Sequence, residues 1–394
     1  MAPRQRRHDP PEVDLARAAD LPDEAWVTAL SLLEHMGPRR LTALLDDGTP
    51  FAAWQRVRGG IALDSVGESL AAALGDSAAR IVSRWSNDAR RLDPVAVWDA
   101  HVEAGVGVTI RTSQAYPTPF ADDIEPPAIV FSAGDPDAVI GARVAIVGTR
   151  DCTRYGYDTA RQLGAELSEA GVSIVSGLAL GIDAAAHAGA LDALGAPPIA
   201  VVGSGLDVVY PRRNATLWQR VAAAGLVVSE YALGTPPVAW HFPARNRLIA
   251  ALADIVILVE SQETGGSVIT AEEASRRATD VMAVPGPITS KVSAGTNKLI
   301  SEGALVVRDA TDVLLRLGMS NGARRKAAER RPRPSDEDRA LLEQFEWQPA
   351  SFDQLLLRSG LDFYDLSDAL DRLCETGWVD RNGGWFERIA KPGG

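Results

Sequence analysis

Four basic side chains accompany predicted strands of this 394-residue chain in a pattern that suits anion binding: Arg150, Arg245, Arg247 and Lys298. Arg150 follows an apolar strand, and Arg245 and Arg247 flank Asn246 in a helix that leads into another strand. Ligands of an open parallel sheet bind at the carboxyl ends of its strands, so these cations are expected at one edge. Each arginine alone is more typical of a solvated or salt-bridged side chain. Their shared position favours a site for the phosphates of a polynucleotide.

Small residues occupy the same strand ends, where they would let a ligand approach the backbone closely. They are Gly148 and Thr149, Ser176 and Gly177, Gly203, and the run Gly265-Gly266-Ser267. Exposed N–H groups at helix starts favour anions, and Ser267 is a plausible helix N-cap after a Gly-Gly turn. That turn predicts either a phosphate site or, with equal weight, a structural strand-to-helix connection.

Two nucleotide-binding motifs are absent from the chain. The first central strand ends in GTRDCTRYG instead of G-x-G-x-x-G, and no G-x-x-x-x-G-K-[ST] occurs. A dinucleotide or a P-loop ATP site is therefore not expected. Cys152 and Cys374 lie far apart without neighbouring ligands, which argues against a zinc site or a disulfide framework. We expect no cofactor and no metal.

Candidate catalytic groups are few. Asp183 and His187 lie four residues apart on one predicted helix, where a capping aspartate beside a packed histidine is the favoured interpretation. Glu272 and Glu273 suit a general acid or base, and equally the first turn of a helix. The sequence indicates no Ser-His-Asp or Cys-His arrangement for nucleophilic catalysis. We therefore expect a binding protein and not an enzyme.

The net charge of −12 is unevenly distributed. Residues 93–142 carry eight acidic side chains and one basic side chain, so the larger central region is nearly neutral and a local basic groove is possible there. No run of eighteen apolar residues occurs, and the basic N-terminus has no apolar segment typical of a signal peptide. We expect a cytoplasmic protein without a membrane partner.

Seven apolar segments alternate with amphipathic helical patterns in the central region. They are 143–148, 172–176, 198–203, 226–230, 254–260, 280–285 and 304–308. Apolar strands separated by helices predict an α/β fold with a doubly wound, mainly parallel sheet and helices on both faces.

Smaller modules are predicted on either side of this sheet. The early stretch EHMGPRRLTALLDDGTPFAAW is similar to a helix-hairpin-helix, which either contacts DNA backbone or, with more weight, packs as a small helical module. Near the C-terminus, three short helices and an Asn-Gly-Gly hairpin predict a winged helix. Its third helix is acidic and would repel phosphate, so protein contact or packing is favoured over DNA binding. The expected organisation is a disordered lead (1–20), an N-terminal helical domain (21–92), the sheet domain (93–318), a linker (319–334) and a winged-helix domain (335–394).

Six ordered motifs resemble the DprA (Smf) family of DNA-processing proteins. They are VAIVGTRDCTRYG, IVSGLALGIDAAAHAGAL, IAVVGSGLDVVYPRRNATL, VVSEYALGTPPVAWHFPARNRLIAALADIVILVE, GGSVITAEEA and VMAVPGPITSKVSAGTNKLISEGA. The resemblance spans roughly residues 95–317. It implies an extended Rossmann-like fold that binds single-stranded DNA, forms homodimers and delivers the strand to RecA during natural transformation and recombination.

The same resemblance implies which residues contact DNA. They are Gly148, Thr149, Arg150, Ser176, Gly177, Arg245, Asn246 and Arg247, with Gly265, Gly266 and Ser267 in the same pocket. Where the family usually has SGLARGID, this chain has Leu180 in place of the arginine, which removes one charge near that pocket.

A nucleotide-processing enzyme is the alternative function. The cytokinin-activating phosphoribohydrolases resemble this chain in an Arg-bearing helix before a strand, followed by a Gly-Gly turn and an acid. Their PGGxGTxxE pattern is not matched by TGGSVITAEE, and DNA binding is therefore favoured.

Overall fold

The computed structural model describes residues 18, 20–46, 48–62, 67–319, 332–345 and 349–389. Most of the predicted lead and most of the predicted linker lie outside the described residues. Contacts within the chain divide it into two compact units, Met1–Ser320 and Asn321–Gly394. Of the helices in the described segments, none has both the length and the apolar character that crossing a bilayer requires.

A nine-stranded sheet forms the centre of the first unit. Its strands are β1 (Gly107–Ile110), β2 (Ile129–Gly134), β3 (Arg143–Val147), β4 (Ser173–Ser176), β5 (Ile199–Val201), β6 (Leu226–Ser229), β7 (Ile255–Leu258), β8 (Asp280–Ala283) and β9 (Leu305–Val306). They are ordered β1-β2-β6-β5-β4-β3-β7-β8-β9. Strands β3 to β9 pair in parallel, whereas β1 and β2 add an antiparallel pair beside β6. The predicted doubly wound, mainly parallel sheet is confirmed.

Helices precede the sheet and connect its strands. Those before the sheet are α1 (Asp23–Ser31), α2 (Pro38–Leu45), α3 (Pro50–Gly59), α4 (Glu68–Leu74), α5 (Ala78–Arg91) and α6 (Pro94–Glu103). Those within it are α7 (Thr118–Ala121), α8 (Arg154–Glu169), α9 (Ile182–Ala193), α10 (Ala215–Ala224), α11 (His241–Leu252), α12 (Gly266–Arg276), α13 (Ala294–Ser301) and α14 (Ala310–Arg316). The sequence pattern predicts a helix over 244–252, and α11 begins three residues earlier, at His241.

Alternation along the strands explains why both faces of the sheet are covered, since successive side chains point to opposite faces. In β3, Val144 and Ile146 join a buried cluster with α8, α9 and α14. Ala145 and Val147 join a second cluster with α11 and α12 on the other face. Both sets are apolar because the strand is buried on both sides.

The N-terminal helices bury their apolar residues against the sheet. Trp26 and Leu30 of α1 belong to the same buried cluster as Ile129 and Phe131 of β2 and Val227 of β6. This shared core fixes α1 and α2 next to the side of the nine-stranded sheet that contains β1, β2 and β6.

The acidic segment between α6 and β3 forms ion pairs with Arg276, the last residue of α12, and with Arg277, which follows it. Arg277 donates to Asp123 at 2.6 Å and to Glu273 at 2.5 Å, and all three side chains are largely buried. Arg276 lies 3.3 Å from Glu125. Removing one partner of a buried ion pair is costly because the other charge stays desolvated, so these contacts hold the segment onto the sheet domain.

The second unit contains three helices and a small antiparallel sheet. They are α15 (Asp336–Glu343), α16 (Phe352–Ser359), α17 (Phe363–Glu375), β10 (Ala350–Ser351), β11 (Val379–Asn382) and β12 (Trp385–Arg388). Gly383 and Gly384, both with positive φ, connect β11 to β12, as the Asn-Gly-Gly signal predicts. The assignment of this unit as a winged helix stays a prediction.

Candidate functional site

A pocket opens at the carboxyl ends of the central strands, between the loops that follow β3, β4 and β5 and the start of α11. Helix α11 leads into β7 and so runs antiparallel to the strands, which brings its N-terminus to this edge. Among the described residues the pocket is lined by Arg150, Gly177, Ala179, Leu180, Tyr210, Pro211, Phe242 and Arg245. We call it the arginine pocket. Three predicted site residues, Arg150, Gly177 and Arg245, meet in it.

Arg150 and two aromatic rings form the outer wall of the arginine pocket. The Arg150 guanidinium lies 5.3 Å from the centroid of the Phe242 ring, within the range of a cation–π contact. The Tyr210 ring lies 5.3 Å from the same ring and is 43% exposed. No carboxylate in the described segments forms an ion pair with Arg150, whose side chain is exposed. Its charge is therefore available to an anionic ligand.

Arg245 forms the floor of the pocket. It is 4% exposed, and its guanidinium donates a hydrogen bond to the carbonyl oxygen of Val201 at the end of β5. Gly177 makes this position possible, because a Cβ there would lie 2.1 Å from Arg245 Nη1. Burial lowers the pKa of Arg245 to about 10, so the group stays protonated at neutral pH. The buried Asp183 carboxylate also attracts this cation, so the charge of Arg245 is partly balanced within the protein and the exposed Arg150 is the stronger attractant for an anion.

Arg247 has a different environment from Arg245. Its guanidinium pairs with the buried Glu230 carboxylate and donates to the Glu125 carbonyl at 2.8 Å. Arg247 is absent from the pocket lining given above. The structure therefore gives Arg247 partners within the protein, while Arg150 keeps an exposed charge.

Several predicted site residues hold the surrounding loops in place. Ser176 donates its hydroxyl to the Ile146 carbonyl at 2.6 Å, and Ser267 donates to Ser261 Oγ at 2.8 Å. The Asn246 amide donates to the Gly266 carbonyl at 3.0 Å and links α11 to α12. Gly203 and Gly265 are close to neighbouring groups: a Cβ would lie 3.4 Å from His241 Cβ at Gly203 and 2.8 Å from Ser261 Oγ at Gly265.

Lys298 lies in the second half of α13, with 4.0 Å between its Nζ and Glu302 Oε1. It is not among the residues that line the arginine pocket. The structure thus brings Arg150 and Arg245 together but places this lysine on a separate helix.

The loop Gly148–Thr153 is fixed at both ends by Glu260, the second residue after β7. The main-chain N–H of Thr149 donates to the Glu260 carbonyl at 2.8 Å. The Glu260 carboxylate, which is buried, accepts from Thr153, the N-cap of α8. Strands β3 and β7 are neighbours at the point where the strand order reverses, which is where doubly wound proteins bind ligands. Here the protein's own carboxylate occupies that crevice.

Two arginines at the pocket rim were not assigned from the sequence. Arg212 and Arg213 follow Pro211 in a short 3-10 turn, and both are exposed. Asn214 anchors this turn by donating to the carbonyls of Leu178 and Ala179 at 2.9 and 3.1 Å. Neither arginine has a carboxylate partner within the described part of the chain. The sequence signal that could have identified them is the position of two adjacent arginines directly after the loop that follows β5.

None of the acids named for an alternative chemistry is among the residues that, in the described part of the chain, line the arginine pocket. Glu273 pairs with Arg276 and Arg277, and Glu272 is exposed on α12. Asp183 accepts from the Gly177 main-chain N–H at 3.1 Å, and His187 is fully buried. No carboxylate is found among the described residues that line the arginine pocket. Likewise, no group of three or more His, Cys, Asp or Glu in the described segments is placed to hold a metal ion.

Comparisons with known proteins show which family the chain resembles. A sequence profile of the DNA recombination-mediator protein A family matches residues 107–318, which contain the whole sheet and the arginine pocket. The chain is 43% identical over 199 residues to the DNA processing protein DprA of Streptococcus pneumoniae, covering 50% of this chain and 70% of that protein. It is 38% identical over 223 residues to DprA of Bacillus subtilis, covering 56% and 75%.

A solved structure extends the similarity to the fold. The X-ray structure of DprA from Streptococcus pneumoniae superposes with a TM-score of 0.60 at 32% identity, covering 75% of this chain and 98% of that one. The sequence motifs, the matched profile and the fold agree. This chain belongs to the DNA recombination-mediator protein A family.

Proposed function

We propose that the arginine pocket binds single-stranded DNA, and that the chain delivers the bound strand to a RecA recombinase. The observation that carries the proposal is the exposed Arg150 guanidinium, which has no carboxylate partner among the described residues and lies over the Phe242 ring. A phosphate is the ligand that this cation and the buried Arg245 below it would share.

The aromatic wall favours a single strand over a duplex. Proteins that bind single strands combine a basic groove with rings on which unpaired bases stack. Tyr210 presents an exposed ring beside Phe242, and a base paired in a duplex has no free face for it. Stacking contributes ~1–3 kcal/mol per base and tolerates any sequence, so we expect little sequence preference.

The remaining partners follow from the family. A recombination mediator acts on a DNA strand together with a recombinase, so we propose RecA as the protein partner and recombination, including natural transformation, as the process. A homodimer acting in the cytoplasm completes the proposal. The contact sites on this chain include Gly148, Thr149, Arg150, Gly177 and Arg245.

The test is equilibrium binding of the full chain to fluorescent single-stranded and double-stranded oligonucleotides over a range of salt concentrations. Arg150→Ala is expected to weaken single-strand binding at least tenfold, because a charged hydrogen bond contributes ~1.5–3 kcal/mol. The slope of log K against log salt should fall by ~0.7, the value for one phosphate contact on a single strand.

Arg220→Ala is the matched control. Arg220 is also exposed, but it pairs with Asp192 at 2.9 Å on α9. Its loss should leave both affinity and salt slope unchanged. Equal binding of single-stranded and double-stranded DNA, or unchanged binding by Arg150→Ala, would contradict the proposal.

A further inference from the structure

The turn between α1 and α2 lies at the same edge of the sheet as the arginine pocket. Gly37 and Pro38 line a small cleft together with Glu230 and Tyr231, which directly follow the end of β6. This is the turn of the segment that resembles a helix-hairpin-helix. The buried cluster shared by α1 and the sheet fixes it there.

Trp240 stands between this turn and the arginine pocket. It precedes α11 by one residue and is 54% exposed. A Cβ on Gly37 would lie 3.6 Å from Trp240 Cη2, so the ring lies against the turn. Phe242, two residues further on, already belongs to the arginine pocket. Trp240 and Phe242 therefore connect the turn between α1 and α2 to the arginine pocket, and the two form one surface.

The orientation of the Trp240 ring is fixed by its neighbours. It meets the His241 ring edge-on at 4.2 Å between centroids, and His241 stacks on Tyr231 at 3.9 Å. The His241 ring nitrogen Nδ1 lies 3.0 Å from the Gly203 carbonyl oxygen. A large ring that is held rigidly and still half exposed offers a flat face to a ligand at little entropic cost.

A cation accompanies this ring. The Arg39 side chain, on the first turn of α2, is 87% exposed. Its guanidinium lies 4.0 Å from the Glu125 carboxylate, at the limit of an ion pair, and Arg276 lies closer to Glu125, at 3.3 Å. The first turn of α2 contains no acidic residue. An anion near Arg39 would therefore meet little competition from Glu125.

We propose that Trp240 and Arg39 form a second contact zone for the same single strand, in which Trp240 stacks on a base and Arg39 pairs with a phosphate. This inference rests on the proposed function, because it extends the strand from the arginine pocket towards the N-terminal helices. Arg39 lies two residues after Gly37, and Gly37 is next to the Trp240 ring. An exposed ring and an exposed cation together are the combination that binds single strands without sequence preference. The continuity of Trp240 with Phe242 favours nucleic acid over a protein partner at this surface.

The experiment measures binding of oligothymidylates of increasing length to the full chain and to the variants Trp240→Ala, Trp240→Phe and Arg39→Ala. Trp240→Ala is expected to weaken binding of long oligonucleotides about tenfold and to leave the shortest ones, which fill only the arginine pocket, unchanged. Trp240→Phe should retain most of the affinity because it keeps a ring. Arg39→Ala should lower the salt slope by ~0.7.

Tryptophan fluorescence supplies a readout that a structural role would not change. Stacking of a base on Trp240 should quench part of the emission when long oligonucleotides bind, and this quenching should be lost in Trp240→Phe. Phe51→Ala is the control, since Phe51 is a 42% exposed ring on α3 that packs against Trp26. It should leave the affinity unchanged.

The outcomes separate this inference from the proposed function. If Arg150→Ala weakens binding while Trp240→Ala and Arg39→Ala bind every length like the wild type, the second zone does not exist and the arginine pocket stands. Quenching that persists in Trp240→Phe would equally overturn the stacking role. If the wild-type chain binds no oligonucleotide, the proposed function itself fails.

Discussion

The Glu260 carboxylate accepts two hydrogen bonds from Thr153, one from its main-chain N–H at 2.8 Å and one from its hydroxyl at 2.6 Å. Thr153 is the N-cap of α8, so a buried carboxylate lies at the positive end of the first helix after β3. Related folds use this position for the phosphate of a cofactor. In this chain the position is filled from within, and the contact instead supports the loop that carries Arg150.

Removing the Glu260 carboxylate should loosen that loop. Glu260→Ala removes the buried acceptor of two hydrogen bonds from the exposed Thr153, and we expect the free energy of unfolding to fall by ~2 kcal/mol, the value for hydrogen bonds to a charged group. Glu260→Gln keeps the volume and one acceptor, so the loss should be about half. Urea denaturation measures both, and acetate or phosphate should partly restore the stability of Glu260→Ala. Equal stability of all three chains would show that the carboxylate does not hold the loop.

Gly177 is expected to tolerate no side chain. Its Cβ would lie 2.1 Å from Arg245 Nη1, so Gly177→Ala must displace the buried guanidinium. Overpacking of this kind costs ~1–3 kcal/mol, and single-strand binding should weaken as well. Gly59→Ala is the matched control, because its added methyl group would meet no atom within 4 Å and the residue lies in α3, outside the arginine pocket. A Gly177→Ala chain that is as stable and binds single strands as tightly as Gly59→Ala would contradict this packing.

Arg212 and Arg213 should add phosphate contacts at the rim of the arginine pocket. The variant with both changed to alanine is expected to bind single-stranded DNA about tenfold more weakly, since exposed ion pairs contribute up to ~1 kcal/mol each. Its salt slope should fall by ~1.4, twice the value for one contact. Titrations at several salt concentrations measure both quantities, with Arg220→Ala again as the control. A slope equal to that of the wild type would place these arginines away from the strand.

His187 should make the fold sensitive to acid. Burial lowers the pKa of His187 to about 4, whereas the unfolded chain has the ordinary value near 6.5. Between these values the unfolded chain binds a proton that the folded chain does not, so stability falls as the pH is lowered below 6.5. From pH 7.5 to pH 5 the loss is ~2 kcal/mol.

The variant His187→Gln removes the titrating group and so tests how much His187 contributes to the loss of stability at low pH. Urea denaturation at the two pH values should show a loss smaller than that of the wild type by ~2 kcal/mol. Burial also lowers the pKa of His101 and His241, and these groups contribute equally to both chains. Identical losses in the two chains would mean that His187 is not held neutral by burial.

The fold was largely predictable because its strongest signals are local. Each central strand is a short apolar run between helical patterns, so seven strands and their parallel pairing follow from periodicity and from the order of elements. The edge at which ligands bind follows from the topology. The differing environments of Arg245 and Arg247 do not follow from such signals, because their partners lie elsewhere in the chain.

Arg247 illustrates the kind of contact that local sequence patterns do not predict. Its carboxylate partner, Glu230, lies 17 residues away and its carbonyl partner, that of Glu125, lies 122 residues away. Arg245 is two residues earlier, and it is buried because Gly177 leaves room for it from another loop. Neighbouring arginines therefore differ through contacts that only the folded chain brings together. The same holds for Arg212 and Arg213, whose turn is attached to the pocket by Asn214.

The attachment of the Arg150 loop to Glu260 also affects when the arginine pocket is completed during synthesis. The arginine pocket combines residues from Arg150 to Arg245, and the loop of Arg150 donates three hydrogen bonds to Glu260, a residue 110 positions after Arg150 in the chain. A chain emerging from the ribosome can form β3, α8 and β4 before β7 exists, but it lacks these three contacts until Glu260 has been made. The binding surface is therefore completed late in synthesis, after nearly all of the sheet has been made.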